Sequence, residues 1–226
     1  MYLVIFDCDG TLVDSQNIIA AAMGRAFSAV GRETPHRSEL LSIVGLSLPH
    51  AMSRLLGEAA TPEAVEALIG EYKQAFFALR SEPDHHEPLY PGTLDALAEL
   101  AGDDNALFGM ATGKSRRGVE SILKVHDFGI SFATIQTADD AASKPHPEMI
   151  YRALSETGVE PSRAVMVGDT SFDMEMARAA GIEAIGVSWG YHPVAALHDA
   201  GACCVLDDFA ELPAMVRRAV GLEGQK

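Results

Sequence analysis

Residues 2–11 read YLVIFDCDGT: five apolar residues from Tyr2 to Phe6, two aspartates flanking a cysteine, then a Gly-Thr step. An unbroken apolar run of this length suits a strand covered on both faces of a sheet. At its end Asp7 and Asp9 stand two positions apart, and strand alternation sends them the same way and Cys8 the other. Two carboxylates within a few ångströms repel unless a cation compensates. Asp and Gly are also turn formers. The stretch alone therefore leaves two readings, a turn or a metal-binding or reactive carboxylate pair, and the rest of the chain decides.

The chain has 226 residues, 48% of them hydrophobic, and a formal charge of −15. That length holds one α/β domain with a smaller inserted one and buries a sizeable core. No apolar run reaches the roughly eighteen residues of a membrane-spanning helix. An acidic chain lacks the basic surface that nucleic acid requires, and it is repelled by anionic membranes. The start, Met1–Gly10, carries no basic segment ahead of its apolar run, so no signal peptide is expected, and a cytoplasmic location is. Cys8, Cys203 and Cys204 offer no CxxC spacing for zinc, and reduced, buried thiols are expected. A thiolate phosphatase would place an arginine six residues after its cysteine; here that position is Asp14, so Cys8 is expected to be a small apolar wall.

From Gln16 to about Arg80 the pattern is helical throughout. Ile18, Ile19, Ala22, Met23, Ala26, Phe27 and Val30 share one helical face. Ser38 is expected to cap a short helix reaching Val44, stopped by Gly45. Pro49 suits a first helical turn and Gly57 a stop, and Thr61-Pro62-Glu63 opens a long amphipathic helix. "SEPDHHEPLYPG" (81–92) reads as a turn-rich return. From Thr93 onward short apolar strands alternate with helices. The strands are 106–112, 132–138, 164–169, 183–188 and 202–208; the helices are Thr93–Leu100, Arg116–Val125, Pro147–Thr157 and Phe172–Ala180. Such alternation specifies a parallel sheet with helices on both faces. The expected architecture is α/β: a Rossmann-like three-layer core with a parallel sheet (1–14 and 86–226) and an inserted all-helical cap domain (15–85). Only Gly221–Lys226 looks frayed.

Ligands of open parallel sheets bind at the carboxyl ends of the strands. Strand one ends in Asp7-Cys8-Asp9-Gly10-Thr11, the next in Thr112-Gly113, and the 164–169 strand in Asp169, with Asp173 shortly after. The loop after the third strand presents Lys144. Singly, each has an ordinary reading: a turn, a solvated lysine, a helix N-cap at Asp169. Together they gather four carboxylates, a hydroxyl and an ammonium on one rim. Carboxylates in that number suit a hard cation, and Mg²⁺ favours one or two carboxylates plus phosphate oxygens. Thr112 and Lys144 would then face a phosphate, a constellation that describes phosphoryl transfer.

"DCDGTLVDS", "ATGKS", "SKPHPEM" and "GDTSFDMEMA" resemble, in order, the four motifs of the haloacid dehalogenase superfamily. The surrounding residues resemble its phosphoglycolate phosphatase-like branch, which has a helical cap after the first motif. The resemblance implies that Asp7 attacks phosphorus and forms an aspartyl phosphate. Asp9 would be the general acid for the leaving alcohol, then the base for water. Mg²⁺ would be held by the Asp7 carboxylate, the Asp9 backbone carbonyl and Asp169, with Asp173 supporting from behind. Thr112 and Lys144 would hold the transferring oxygens, assisted by backbone N–H groups near Gly10, Thr11 and Gly113.

The implied substrate is a small phosphate ester, phosphoglycolate first, with nucleotides, sugar phosphates and pyrophosphate open. Specificity is expected from the cap, through the "GLSLPH" loop (45–50) and the cations Arg25, Arg54, Lys73 and Arg80. A phosphomutase of the β-phosphoglucomutase type is the nearest alternative, but it would carry an arginine where this chain has Leu48. A receiver-like phospho-switch also uses clustered Asp, Thr and Lys, in about half the length and with its phosphorylated Asp on a middle strand. The sequence leaves the oligomeric state unassigned.

Overall fold

The strands are β1 (Tyr2–Phe6), β2 (Ala106–Thr112), β3 (Phe132–Thr137), β4 (Ala164–Gly168), β5 (Glu183–Val187) and β6 (Cys204–Leu206). Four helices lie between β1 and β2: α1 (Gln16–Ala29), α2 (Arg37–Leu41), α3 (Leu48–Leu56) and α4 (Pro62–Leu79). The others are α5 (Thr93–Ala101), α6 (Arg116–Val125), α7 (Glu148–Thr157), α8 (Ser171–Ala180), α9 (Val194–Ala200) and α10 (Leu212–Ala219). The computed structural model describes residues 1–82 and 85–222.

All strand pairs are parallel, in the order β3-β2-β1-β4-β5-β6. β1 is therefore central, and all five of its residues are buried. Its alternation divides the core. Tyr2, Val4 and Phe6 pack with Leu97, Ile122 and Val216 on one face; Leu3 and Ile5 pack with Met149, Met174 and Leu197 on the other. Each fully buried Leu, Ile or Phe contributes about 1.5–3 kcal/mol, so a strand buried on both faces anchors the three layers. The chain order reverses between β1 and β4, and the crevice outside their carboxyl ends is where such sheets bind ligands. The register sets Phe6 against Val167 there.

The helices α1–α4 enclose a separate apolar cluster that includes Ile18, Met23, Phe27, Met52, Leu68 and Leu79. The chain leaves and re-enters the sheet layer side by side. Val13 bridges Leu89, Asp14 N–H donates to Pro88 O at 2.8 Å, and Tyr90 N–H donates to Leu12 O at 3.0 Å.

Several expectations need correction. The helix assigned to Ser38–Val44 is α2, ending at Leu41 and capped by His36. The Ser38 hydroxyl is drawn instead to His36 Nδ1 at 2.8 Å, while Glu39 accepts from His36 N–H and closes a capping box. Asp169 is not an N-cap; Thr170 caps α8, with Asp173 as its reciprocal partner. Cys8 is buried as expected, but Cys203 is exposed and Cys204 half-buried, because β6 lies at the sheet edge. Of the segment expected to fray, 223–226 lie outside the described residues, while Leu222 packs against the core. Of the 81–92 return, 83 and 84 lie outside them too. Among the described residues no helix is long and apolar enough to cross a membrane.

Candidate active site

Asp7 follows directly from β1, and its N–H donates to Val167 O at 2.9 Å, so the neighbouring β4 fixes its backbone. Its side chain is fully buried, with Oδ1 accepting from Cys8 N–H at 2.6 Å. Lys144 Nζ lies 2.9 Å from Asp7 Oδ2 and 2.6 Å from Asp173 Oδ1. The ammonium is better aligned with Asp173, and Lys144 is the partner of the buried Asp7 Oδ2 as an ion pair. Asp173 Oδ2 accepts from Thr170 N–H and Oγ1 at 3.1 and 2.7 Å. Asp169, at the end of β4, accepts from Thr11 Oγ1 at 2.9 Å and from Tyr191 N–H at 2.9 Å.

Close backbone approach holds Asp169 in place. A Cβ on Gly10 would sit 2.2 Å from Asp169 Oδ2, and one on Gly190 would sit 2.1 Å from Asp169 Cβ. Gly10 also has φ +86°, a conformation that side chains rarely adopt.

Oxygens of Asp7, Asp169 and Asp173 lie within 4.8 Å of one another, all buried. Burial pushes the Asp7 carboxyl up to about 6 and Asp169 well above the usual carboxylate range, Asp173 adding to both. Burial works against the Lys144 ammonium, but Asp173 and Asp7 outweigh it and hold its pKa above the ordinary lysine value. Three carboxylates against one ammonium leave an excess of buried negative charge. An all-oxygen donor set of that charge fits a hard divalent cation such as Mg²⁺.

Asp9 takes different partners. Its Oδ1 accepts from Ser15 Oγ at 2.6 Å and from Lys114 Nζ at 2.7 Å. Lys114 also pairs with Glu87 at 3.1 Å, and Glu87 with Arg80 Nε at 2.8 Å. Asp9 and Glu87 hold the buried Lys114 ammonium above its ordinary pKa against the opposing effect of burial. Ser15 stands at the N-cap of α1 but makes no cap hydrogen bond; its hydroxyl serves Asp9 instead.

A cavity of about 380 Å³ opens over these groups. Asp7, Asp9, Thr112, Gly113 and Lys114 line its floor, and Ile19, Met23, Leu46, Leu48, Tyr72 and Phe76 are among its walls. The loop before α3 closes on the floor: a Cβ on Gly113 would lie 2.5 Å from Gly45 O, and Ser47 N–H donates to Ser143 Oγ at 2.9 Å.

The structure thus brings Asp7, Asp9, Thr11, Thr112, Lys144, Asp169 and Asp173 to one rim, with Gly10 and Gly113 at their backbone turns. Of the cap cations, Lys73 and Arg80 line the cavity. Arg25 pairs with Glu82 on the surface, and Arg54 stands over Phe172. Sequence reasoning missed Lys114, Glu87 and Ser15. Lys114 and Ser15 lie within the stretches ATGKS and DCDGTLVDS, but there only as neighbours of Thr112 and Asp9.

Residues 4–187 match the family model described as haloacid dehalogenase-like hydrolase. This chain belongs to that family. It is 35% identical to a Dickeya dadantii protein named "Probable phosphatase IndB", over 93% of this chain and 91% of that one. It is 30% identical to a phosphoglycolate phosphatase of Pseudomonas syringae pv. tomato, over 93% of this chain and 78% of the relative. The crystal structure of a hydrolase from Pseudomonas syringae superposes with a TM-score of 0.82 at 26% identity, covering 96% of this chain and 99% of that one.

Proposed function

We propose that this chain is a Mg²⁺-dependent phosphatase that hydrolyses small phosphomonoesters through an aspartyl phosphate on Asp7. The observation that carries the reading is Asp7 itself: a buried carboxylate paired with the Lys144 ammonium, one of three clustered acids and lining a cavity. Asp7, Asp169 and the Asp9 backbone carbonyl would hold Mg²⁺, with Asp173 fixing Lys144 behind them. When bound, the cation neutralises the carboxylates and the incoming phosphate.

An oxygen of Asp7 attacks phosphorus while the bond to the leaving oxygen breaks, and Asp9 delivers the proton that this oxygen needs. Water then attacks the same phosphorus, Asp9 takes its proton, and Asp7 is released with inorganic phosphate. Lys144 offsets charge on Asp7, and Thr112 with the N–H groups near Gly10, Thr11 and Gly113 receives the phosphoryl oxygens. Residues 15–85 act as a cap hinged where Val13 and Leu89 meet, and its 45–48 loop shields the reaction from water. Phosphoglycolate is the substrate that the resemblance to that branch offers first.

The test is phosphate release from a panel of phosphomonoesters with Mg²⁺, with EDTA, and with Mg²⁺ restored. Turnover at full rate in EDTA would refute the site as drawn.

A further inference from the structure

The reaction at Asp7 leaves one pair of nucleophilic side chains unused. Cys203 and Cys204 are free thiols at β6, the last strand of the sheet, which pairs with β5. Neighbouring side chains of a regular strand point to opposite faces, which keeps consecutive sulfurs apart. Here the chain bends at Cys203, and β6 begins only at Cys204. Cys203 N–H donates to Ala184 O at 2.8 Å, so β5 holds the backbone at that bend. The two Sγ atoms come to 4.0 Å, with Cys203 S–H as the donor and Cys204 Sγ as the acceptor.

The two thiols are unlike. Cys203 is exposed and Cys204 half-buried. The Cys203 hydrogen bond and the Arg218 guanidinium bring the Cys204 thiol down to about 7, against burial and the carboxylates of Glu211 and Glu183. Cys203, as the donor, is held above the ordinary thiol value. The thiolate is the nucleophile in cysteine chemistry. Redox-sensing cysteines combine thiolate character, solvent access and a second cysteine within reach. Cys8 is the contrast: it is fully buried, and burial pushes its thiol well up.

We propose that Cys203 and Cys204 form a modification site at which hydrogen peroxide makes a reversible disulfide between the two neighbours. The Cys204 thiolate attacks one peroxide oxygen, and the O–O bond breaks. Hydroxide leaves and becomes water by taking up the proton that the thiol had given up. Cys204 is now a sulfenic acid, oxidised by the two electrons that the peroxide gained. Cys203 sulfur then attacks Cys204 Sγ, the S–O bond breaks, and the oxygen leaves as water with the Cys203 proton. Two thiols and one hydrogen peroxide become one disulfide and two waters. Neighbouring Cα atoms are about 3.8 Å apart, closer than the roughly 4.4–6.8 Å usual for disulfides. Such a bond is strained, and a thiol reductant reopens it. The site stands independently of the phosphatase reading.

The test treats the reduced full chain with a small excess of hydrogen peroxide. Remaining thiols are then blocked with iodoacetamide under denaturing conditions, and the digest is mapped by mass spectrometry. The peptide holding residues 203 and 204 should lose two hydrogens and refuse the blocking agent, while Cys8 stays a thiol. Dithiothreitol should restore both thiols. Cys203→Ser should stop the reaction at the sulfenic acid, which dimedone traps on Cys204. Cys204→Ser should slow oxidation of Cys203 at least about tenfold, because little of that thiol is ionised. The inference is wrong if both thiols stay open to iodoacetamide at a dose that oxidises added free cysteine. It is equally wrong if Cys204 goes on to sulfinic acid beside an intact Cys203 thiol, or if the disulfide joins two chains. The wild-type digest decides the matter even where a variant fails to fold.

Discussion

The two buried lysines of the site make a natural pair. Lys144 sits beneath the sheet rim, fully buried between Asp7 and Asp173, and does not line the cavity. Lys114 lines the cavity and ties Asp9 to Glu87, where the chain returns from the inserted helices. Each ammonium bridges two carboxylates, yet one serves the carboxylate proposed to attack and the other the carboxylate proposed to move protons. Paired acids at a strand end become tolerable, and chemically distinct, when each is given its own cation.

The contrast can be broken at several points. Asp7→Asn should cost the most, lowering phosphate release at least about a thousandfold, because an amide is a feeble nucleophile and a poor metal ligand. Steady-state assays of the purified variant would show it. Lys144→Met should come next. Removing one partner from a buried ion cluster costs about 3–5 kcal/mol, which urea unfolding of the metal-free protein would register, and activity should fall with it.

Lys114→Met should be milder and more selective. General acid–base catalysis is worth about 10²–10⁴ in rate, and mispositioning Asp9 should forfeit part of that, about 10–100-fold in kcat/KM, which reports phosphoryl transfer to Asp7, for alkyl esters. Aryl esters, whose leaving groups need no proton, should lose much less. Equal losses on both would separate Lys114 from Asp9's role. Gly113→Ala should have the smallest effect. Its Cβ would meet the Gly45 carbonyl at 2.5 Å and prop the 45–48 loop away from the floor. KM should rise about tenfold with a smaller change in kcat, the pattern of lost ground-state binding.

The same contrast explains what the sequence disclosed. Asp7, Thr112 and Asp169 lie at the ends of strands that apolar runs announce, and β2 and α6 run as expected, from Ala106 to Thr112 and from Arg116 to Val125. A strand end is a position that local pattern specifies. Lys114, Glu87 and Ser15 converge because the chain re-enters beside its own exit, through the Val13–Leu89 bridge, and no periodicity records that meeting. Helices α9 and α10 also went unassigned, being only seven and eight residues long. The His36 cap escaped notice because imidazole is an uncommon capping group beside Ser, Thr, Asp and Asn.

The central claim is that phosphate passes through Asp7, and it can be observed covalently. Asp9→Asn enzyme, mixed with Mg²⁺ and a phosphate ester that has a good leaving group, should be quenched in acid and mapped by mass spectrometry. Without the base that activates water, one phosphoryl group per chain should accumulate on the peptide containing residues 2–11, at Asp7. Continued turnover with Asp7 unmodified, or a phosphoryl group on any other residue, would contradict the account.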